Sequence, residues 1–141
     1  MTMQLHVIDA TLAVAAQMQP EELAGLAEQG FAAVICNRPD GEEPGQPPLD
    51  DMRRAAQEDG LAFHHIPVAG GLFPPAAVAA FAAIRRGTQG KVLAYCRTGT
   101  RAASLDALAN VRGLSVKDRL TNAKAAGYDL SALAERLAAH D

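Results

Sequence analysis

Lys91 to Leu108 reads KVLAYCRTGTRAASLDAL. Val92 to Cys96 is a short run suited to a strand buried on both faces. Arg97-Thr98-Gly99-Thr100-Arg101 follows, and then a stretch of Ala, Ser and Leu that predicts a helix. A strand, a tight loop opening on a cysteine and a helix beginning at the loop's far end form an anion cradle. Loop amides and the helix N-terminus point inward, and the helix dipole adds partial positive charge. Those amides, with Arg97 and Arg101, favour the thiolate of Cys96, which makes it a nucleophile beside a ready-made oxyanion site. A single cysteine closing an apolar strand is otherwise a small core hydrophobe. Gly99, which permits a tight backbone, the flanking Thr98 and Thr100, and the strand-to-helix setting turn the reading toward a reactive thiol.

Working outward, the same alternation of strand and helix recurs. Gln4 to Val14 predicts an edge strand or a small hairpin. Pro20 begins a helix whose first turn carries Glu21 and Glu22 and whose end is Gly30. Phe31 to Cys36 predicts a buried strand, with Cys36 as core packing. Asn37 to Pro48, NRPDGEEPGQPP, is too rich in proline and glycine for regular structure. Leu49 to Gly60 predicts a helix and Leu61 to Val68 a strand, in which His64 and His65 cannot both be buried by a period of two. A loop with Pro74 and Pro75 leads into a helix through Arg86. Beyond the cradle, Leu114 to Gly127 predicts a helix capped by Ser115, and Ser131 is expected to cap a last one. This order predicts an α/β fold, a parallel-type central sheet flanked by helices, over residues 1–141 as one domain.

With 141 residues, about half of them apolar, the chain can build a real core. A net charge of −3 with dispersed arginines points away from nucleic acid. No apolar run approaches a membrane span, and the N-terminal stretch lacks the pattern of a secretion signal. Two cysteines without metal-like spacing suit a reducing compartment, so a soluble cytoplasmic protein without metal or cofactor is expected.

The loop after Phe31–Cys36 leaves the end of a strand where open α/β sheets bind ligands, so Asn37, Arg38 and Asp40 either line the site or form an ordinary polar turn. His65 is a further possible site-lining residue. CRTGTR resembles the active-site loop of rhodanese-type sulfurtransferases, and also a shortened tyrosine-phosphatase loop, with four residues instead of five between cysteine and arginine. Taken with VICNRPDGEEPGQP at Val34–Pro47, FHHIPV at Phe63–Val68 and AAGYDL at Ala125–Leu130, the chain resembles the phosphatase-like domain found alone or fused to β-lactamase-like hydrolases, the Blh type. That resemblance implies a tyrosine/dual-specificity phosphatase-like fold, Cys96 as nucleophile, Arg101 as anion binder, and a site-lining role for the Asn37–Asp40 turn.

Three functions compete. Phosphate-ester hydrolysis needs the cradle, a thiolate and usually a general acid, yet Ala62 to Gly90 contains no Asp or Glu and Tyr95 stands where phosphatases usually have His. Asp40 is the candidate acid that remains. Sulfur transfer needs no acid: Cys96 would take a sulfane sulfur as a persulfide, held by the cradle donors. The resemblance adds a possible partner, a β-lactamase-like persulfide-oxidising hydrolase. Sulfurtransferase is therefore the expectation, with a small anionic or sulfane-sulfur substrate. A cysteine-based phosphatase is the alternative, and a non-catalytic anion or redox-sensing module the third.

Overall fold

The computed structural model describes residues 4–141. Its centre is a five-stranded sheet of order β1-β2-β5-β3-β4. The strands are β1 His6–Asp9, β2 Leu12–Ala15, β3 Phe31–Cys36, β4 Ala62–His65 and β5 Lys91–Tyr95. β1 and β2 form an antiparallel hairpin, and the pairs β2/β5, β5/β3 and β3/β4 are parallel. The inner strands LAVA, FAAVIC and KVLAY are apolar almost throughout because both sheet faces are covered. Leu12, Val14, Ala33, Ile35, Val92 and Ala94 point to one layer, and Ala13, Ala15, Val34, Cys36, Leu93 and Tyr95 to the other.

The second face is covered by α1 Leu23–Glu28, which follows a 3₁₀ turn at Pro20–Glu22, and by α2 Leu49–Glu58. The first is covered by α3 Pro75–Gly87, α4 Thr100–Ala109, α5 Val116–Ala125 and α6 Ala134–His140. α4 is buried almost all round, through Ala102, Ala103, Ser104, Leu105, Ala107 and Leu108. Its alanines let it lie close to the sheet and to α3. Arg85 on α3 fixes it from outside, bonding Asp106 of α4 at 2.8 Å and Asp9 of the hairpin at 3.0 Å.

The chain after β3 enters α2 on one face, while the chain after the neighbouring β5 enters α4 on the other. Adjacent strands whose exits diverge open a crevice at their C-terminal ends. Cys96 and Asn37 sit there side by side, one residue past Tyr95 and Cys36, which are partners in register.

Two expectations are corrected. The fourth strand stops at His65 instead of reaching Val68. Ile66 and Val68 still donate to Cys36 O and Asn37 O, but Pro67 between them has no N–H to continue a ladder. The N-terminal segment takes the hairpin form expected of it, with β1 at one edge of the sheet and β4 at the other. Ser131 does not cap a helix: it opens a 3₁₀ turn, Ser131–Leu133, and the capping oxygen is Asp129 Oδ1, which accepts the Ser131 N–H at 3.0 Å. Ser115 does cap α5, accepting the Asp118 N–H.

Candidate active site

The loop from β5 into α4 wraps around Cys96. Cys96 is completely buried. The backbone turns at Gly99, the residue before α4, with φ +98°, a conformation glycine adopts without strain. The Gly99 N–H donates to Cys96 Sγ at 3.1 Å, and Ala103 N–H closes the first helical bond on Gly99 O at 2.9 Å. The first amides of α4 have no carbonyl within the helix to bond; the Thr100 N–H donates to Thr98 Oγ1 at 3.4 Å, and the positive end of the helix dipole lies at this turn. Thr98 and Thr100 bond one another through their hydroxyls at 3.2 Å. Arg97 is exposed, and its carbonyl accepts the Gln17 N–H, tying the loop to the segment after β2.

Arg101 is held from the opposite loop. Its Nη1 donates to Glu42 Oε2 at 2.7 Å and to Val68 O at 2.8 Å, and its Nη2 donates to Glu42 Oε1 at 2.7 Å. Arg38 reaches the same carboxylate with Nε at 2.9 Å, and spends its other nitrogens on Gln17 Oε1 and Glu43 Oε1. The guanidinium of Arg38 is thus buried but fully paired. Arg101 first, and Arg38 after it, hold the Glu42 carboxyl at about 2, well below its ordinary 4.5. A carboxyl so ionised has no proton to donate near neutral pH. Sequence reading passed over Glu42, since nothing in NRPDGEEPGQPP distinguishes it from its neighbour Glu43. The available signal was two acidic residues in the loop facing an arginine-rich cradle.

The remaining predicted residues take positions around this core. The Asn37 side chain donates to Ile66 O at 2.9 Å, while its buried Oδ1 has no partner. Asp40 Oδ1 accepts the Leu49 N–H at 3.0 Å, so Asp40 binds the start of the loop to the head of α2. His65 Nε2 lies 2.9 Å from Arg38 O and supports the base of the loop. Burial pushes the Cys36 thiol up, and its sulfur bonds Arg38 O at 3.4 Å within the core. Burial raises Tyr95 as well. Gln46 pins the loop internally, donating to Pro39 O and accepting the Glu42 N–H.

An open groove of about 380 Å³ runs over the cradle, lined by Glu42, Glu43, Gly70, Arg97, Thr98 and Arg101. A second, of about 450 Å³, lies across the Glu43–Arg97 pair. Among the described residues no cluster of three His, Cys, Asp or Glu is placed to hold a metal, and no helix is long and apolar enough to cross a membrane.

Comparison with known proteins agrees with this architecture. The family described as the phosphatase-like domain of beta-lactamase hydrolase-like protein matches residues 4–113. A beta-lactamase hydrolase-like protein of Xylella fastidiosa is 39% identical over 109 residues, covering 77% of this chain and 25% of its own length. The chain therefore spans about a quarter of such relatives. The crystal structure of a candidate phosphatase from Neisseria meningitidis is 32% identical and superposes with a TM-score of 0.85 over 96% of both chains. Kinase associated phosphatase, in a form whose catalytic-site cysteine is replaced by serine, shares the fold at 13% identity, with a TM-score of 0.78 over 97% of this chain and 93% of its own. The match over residues 4–113, more than half of the chain, places it in the phosphatase-like domain family of beta-lactamase hydrolase-like proteins.

Proposed function

We propose that the domain is a cysteine-based phosphohydrolase acting on small phosphoryl substrates whose leaving groups depart without strong protonation. The observation that carries this reading is the Cys96 sulfur at 3.1 Å from the Gly99 amide, at the head of α4 and beside an oriented Arg101. The likeness to phosphatases supports it. The Cys96 thiolate attacks phosphorus, an S–P bond forms, the P–O bond to the leaving group breaks, and the leaving oxygen takes its proton from water. Water then attacks phosphorus, releasing phosphate and the thiolate. Loop amides and the Arg101 guanidinium stabilise the equatorial oxygens as charge shifts.

The leaving-group limit follows from the carboxylates. Asp40 is spent on Leu49 N–H and Glu42 is ionised, so neither is a ready acid. The same observation favours a second reading, sulfur transfer, in which the thiolate attacks a sulfane sulfur, an S–S bond forms, and the donor leaves as a weakly basic anion. A side-by-side assay with an activated aryl phosphate, an alkyl phosphate and thiosulfate separates them. The first reading predicts turnover of the aryl ester far above the other two. Turnover of thiosulfate alone would replace it with the second.

A further inference from the structure

Tyr128 lies beyond the family-matched residues 4–113, between α5 and the 3₁₀ turn, yet it reaches the cradle. Its hydroxyl donates to Thr98 O at 3.4 Å. A Cβ built on Gly99 would stand 2.1 Å from the Tyr128 hydroxyl oxygen, so the phenol presses directly on the glycine. The ring is buried, and His6 of β1 meets it edge-on at 5.2 Å while bonding Ala126 O at 2.9 Å. Tyr128 thus has its own support from the hairpin and the end of α5.

Thr98 O and Gly99 N–H belong to one peptide group. In a planar trans peptide the carbonyl and the amide point in opposite directions. Here the carbonyl end meets the Tyr128 hydroxyl and the amide end meets Cys96 Sγ at 3.1 Å. Half a turn of this peptide would aim the Thr98 carbonyl at the sulfur, where it would repel a thiolate and any oxyanion. Glycine tolerates many backbone conformations, so Gly99 permits the working orientation without fixing it. We infer that Tyr128 is a positioning residue of the anion site, its hydroxyl latching the Thr98–Gly99 peptide so that the amide faces Cys96 and the bound oxyanion. Burial, and then the negative sulfur of Cys96, raise the phenol's pKa, which keeps its proton available for donation. The inference rests on the reading of the loop as an oxyanion site.

Tyr128→Phe tests it, since the ring stays against Gly99 and His6 while the hydroxyl goes. Sulfate is the probe, titrated by calorimetry, and amide hydrogen exchange is read at Gly99 and at Ala103, whose N–H bonds Gly99 O. The variant should keep its secondary structure, bind sulfate about three- to tenfold more weakly, and exchange Gly99 faster with Ala103 unchanged. His6→Ala, which loosens the ring's packing and leaves the hydroxyl in place, should lower the melting temperature with sulfate affinity near wild type. Equal sulfate affinity in wild type and Tyr128→Phe overturns the role of Tyr128 and leaves the anion site standing. Equal losses in His6→Ala and Tyr128→Phe, or faster exchange at Ala103 as well as Gly99, reduce Tyr128 to packing and overturn it too. A wild type that binds no sulfate removes the oxyanion reading and this inference together.

Discussion

Replacing Arg101 by Lys keeps the charge and removes the fork. The structure spends Nη1 on Glu42 and on Val68 O, and one hydrogen of Nη2 on Glu42, over distances of 2.7–2.8 Å. A guanidinium has five N–H donors. What remains is the Nε–H and the second Nη2–H, adjacent on one edge, a bidentate seat for an oxyanion. Lysine offers three N–H donors from one nitrogen, which the Glu42 and Val68 contacts already match, and it has no planar edge for a bidentate anion. A hydrogen bond to a charged group contributes about 1.5–3 kcal/mol, and the Arg101 side chain is only 14% exposed, so screening trims little of it. Net loss of one such bond predicts sulfate binding roughly 10- to 100-fold weaker in Arg101→Lys. Calorimetric titration with sulfate, alongside protection of Cys96 from iodoacetate, measures it. Wild-type sulfate affinity in Arg101→Lys, with the fold intact, would refute the assignment of Arg101 as the anion's partner.

Other perturbations separate roles within the site. Cys96→Ser should abolish turnover because serine stays protonated near neutral pH, whereas Cys36→Ser, a change in the core, should leave turnover within about threefold while lowering stability by about 1 kcal/mol; the reverse pattern in an aryl phosphate assay would exchange their roles. Asp40→Asn should change kcat less than about threefold, because the amide oxygen can still accept the Leu49 N–H. A loss of ~10²–10⁴-fold confined to poor leaving groups would instead make Asp40 the general acid. Glu42 is depressed from 4.5 to about 2, so the stability it contributes is complete above pH 4.5 and disappears as pH falls through about 2. Melting temperatures of Glu42→Gln should therefore fall less steeply than wild type over that interval, and parallel curves would show that the Arg101–Glu42–Arg38 chain adds nothing.

Much of the scaffold was legible because its signals are local. Phe31–Cys36 and Lys91–Tyr95 are apolar on both faces, as inner parallel strands must be. Gly99 and the alanine-rich run after it announce a turn into a closely packed helix. Cys96 and Arg101 stand within one such signal, and their placement follows from it. The partner of Arg101 was not legible, since Glu42 lies 59 residues away in sequence and meets it only because the exits of β3 and β5 diverge at neighbouring strand ends. Tyr128 is likewise invisible from spacing: its contact with Gly99 depends on how α5 returns over the sheet. Asp40 has the composition of a general acid, but the bond to Leu49 N–H shows a carboxylate engaged in closing a loop.

Acid-quenched mass spectrometry during turnover of p-nitrophenyl phosphate reads whether the phosphoryl group passes through Cys96. A phosphohydrolase working through Cys96 should carry one phosphoryl group on the peptide containing Cys96, absent in Cys96→Ser and diminished in Arg101→Lys. Turnover with Cys96 unmodified, or modification of Cys96 only by a single sulfur from a sulfane donor, would contradict it.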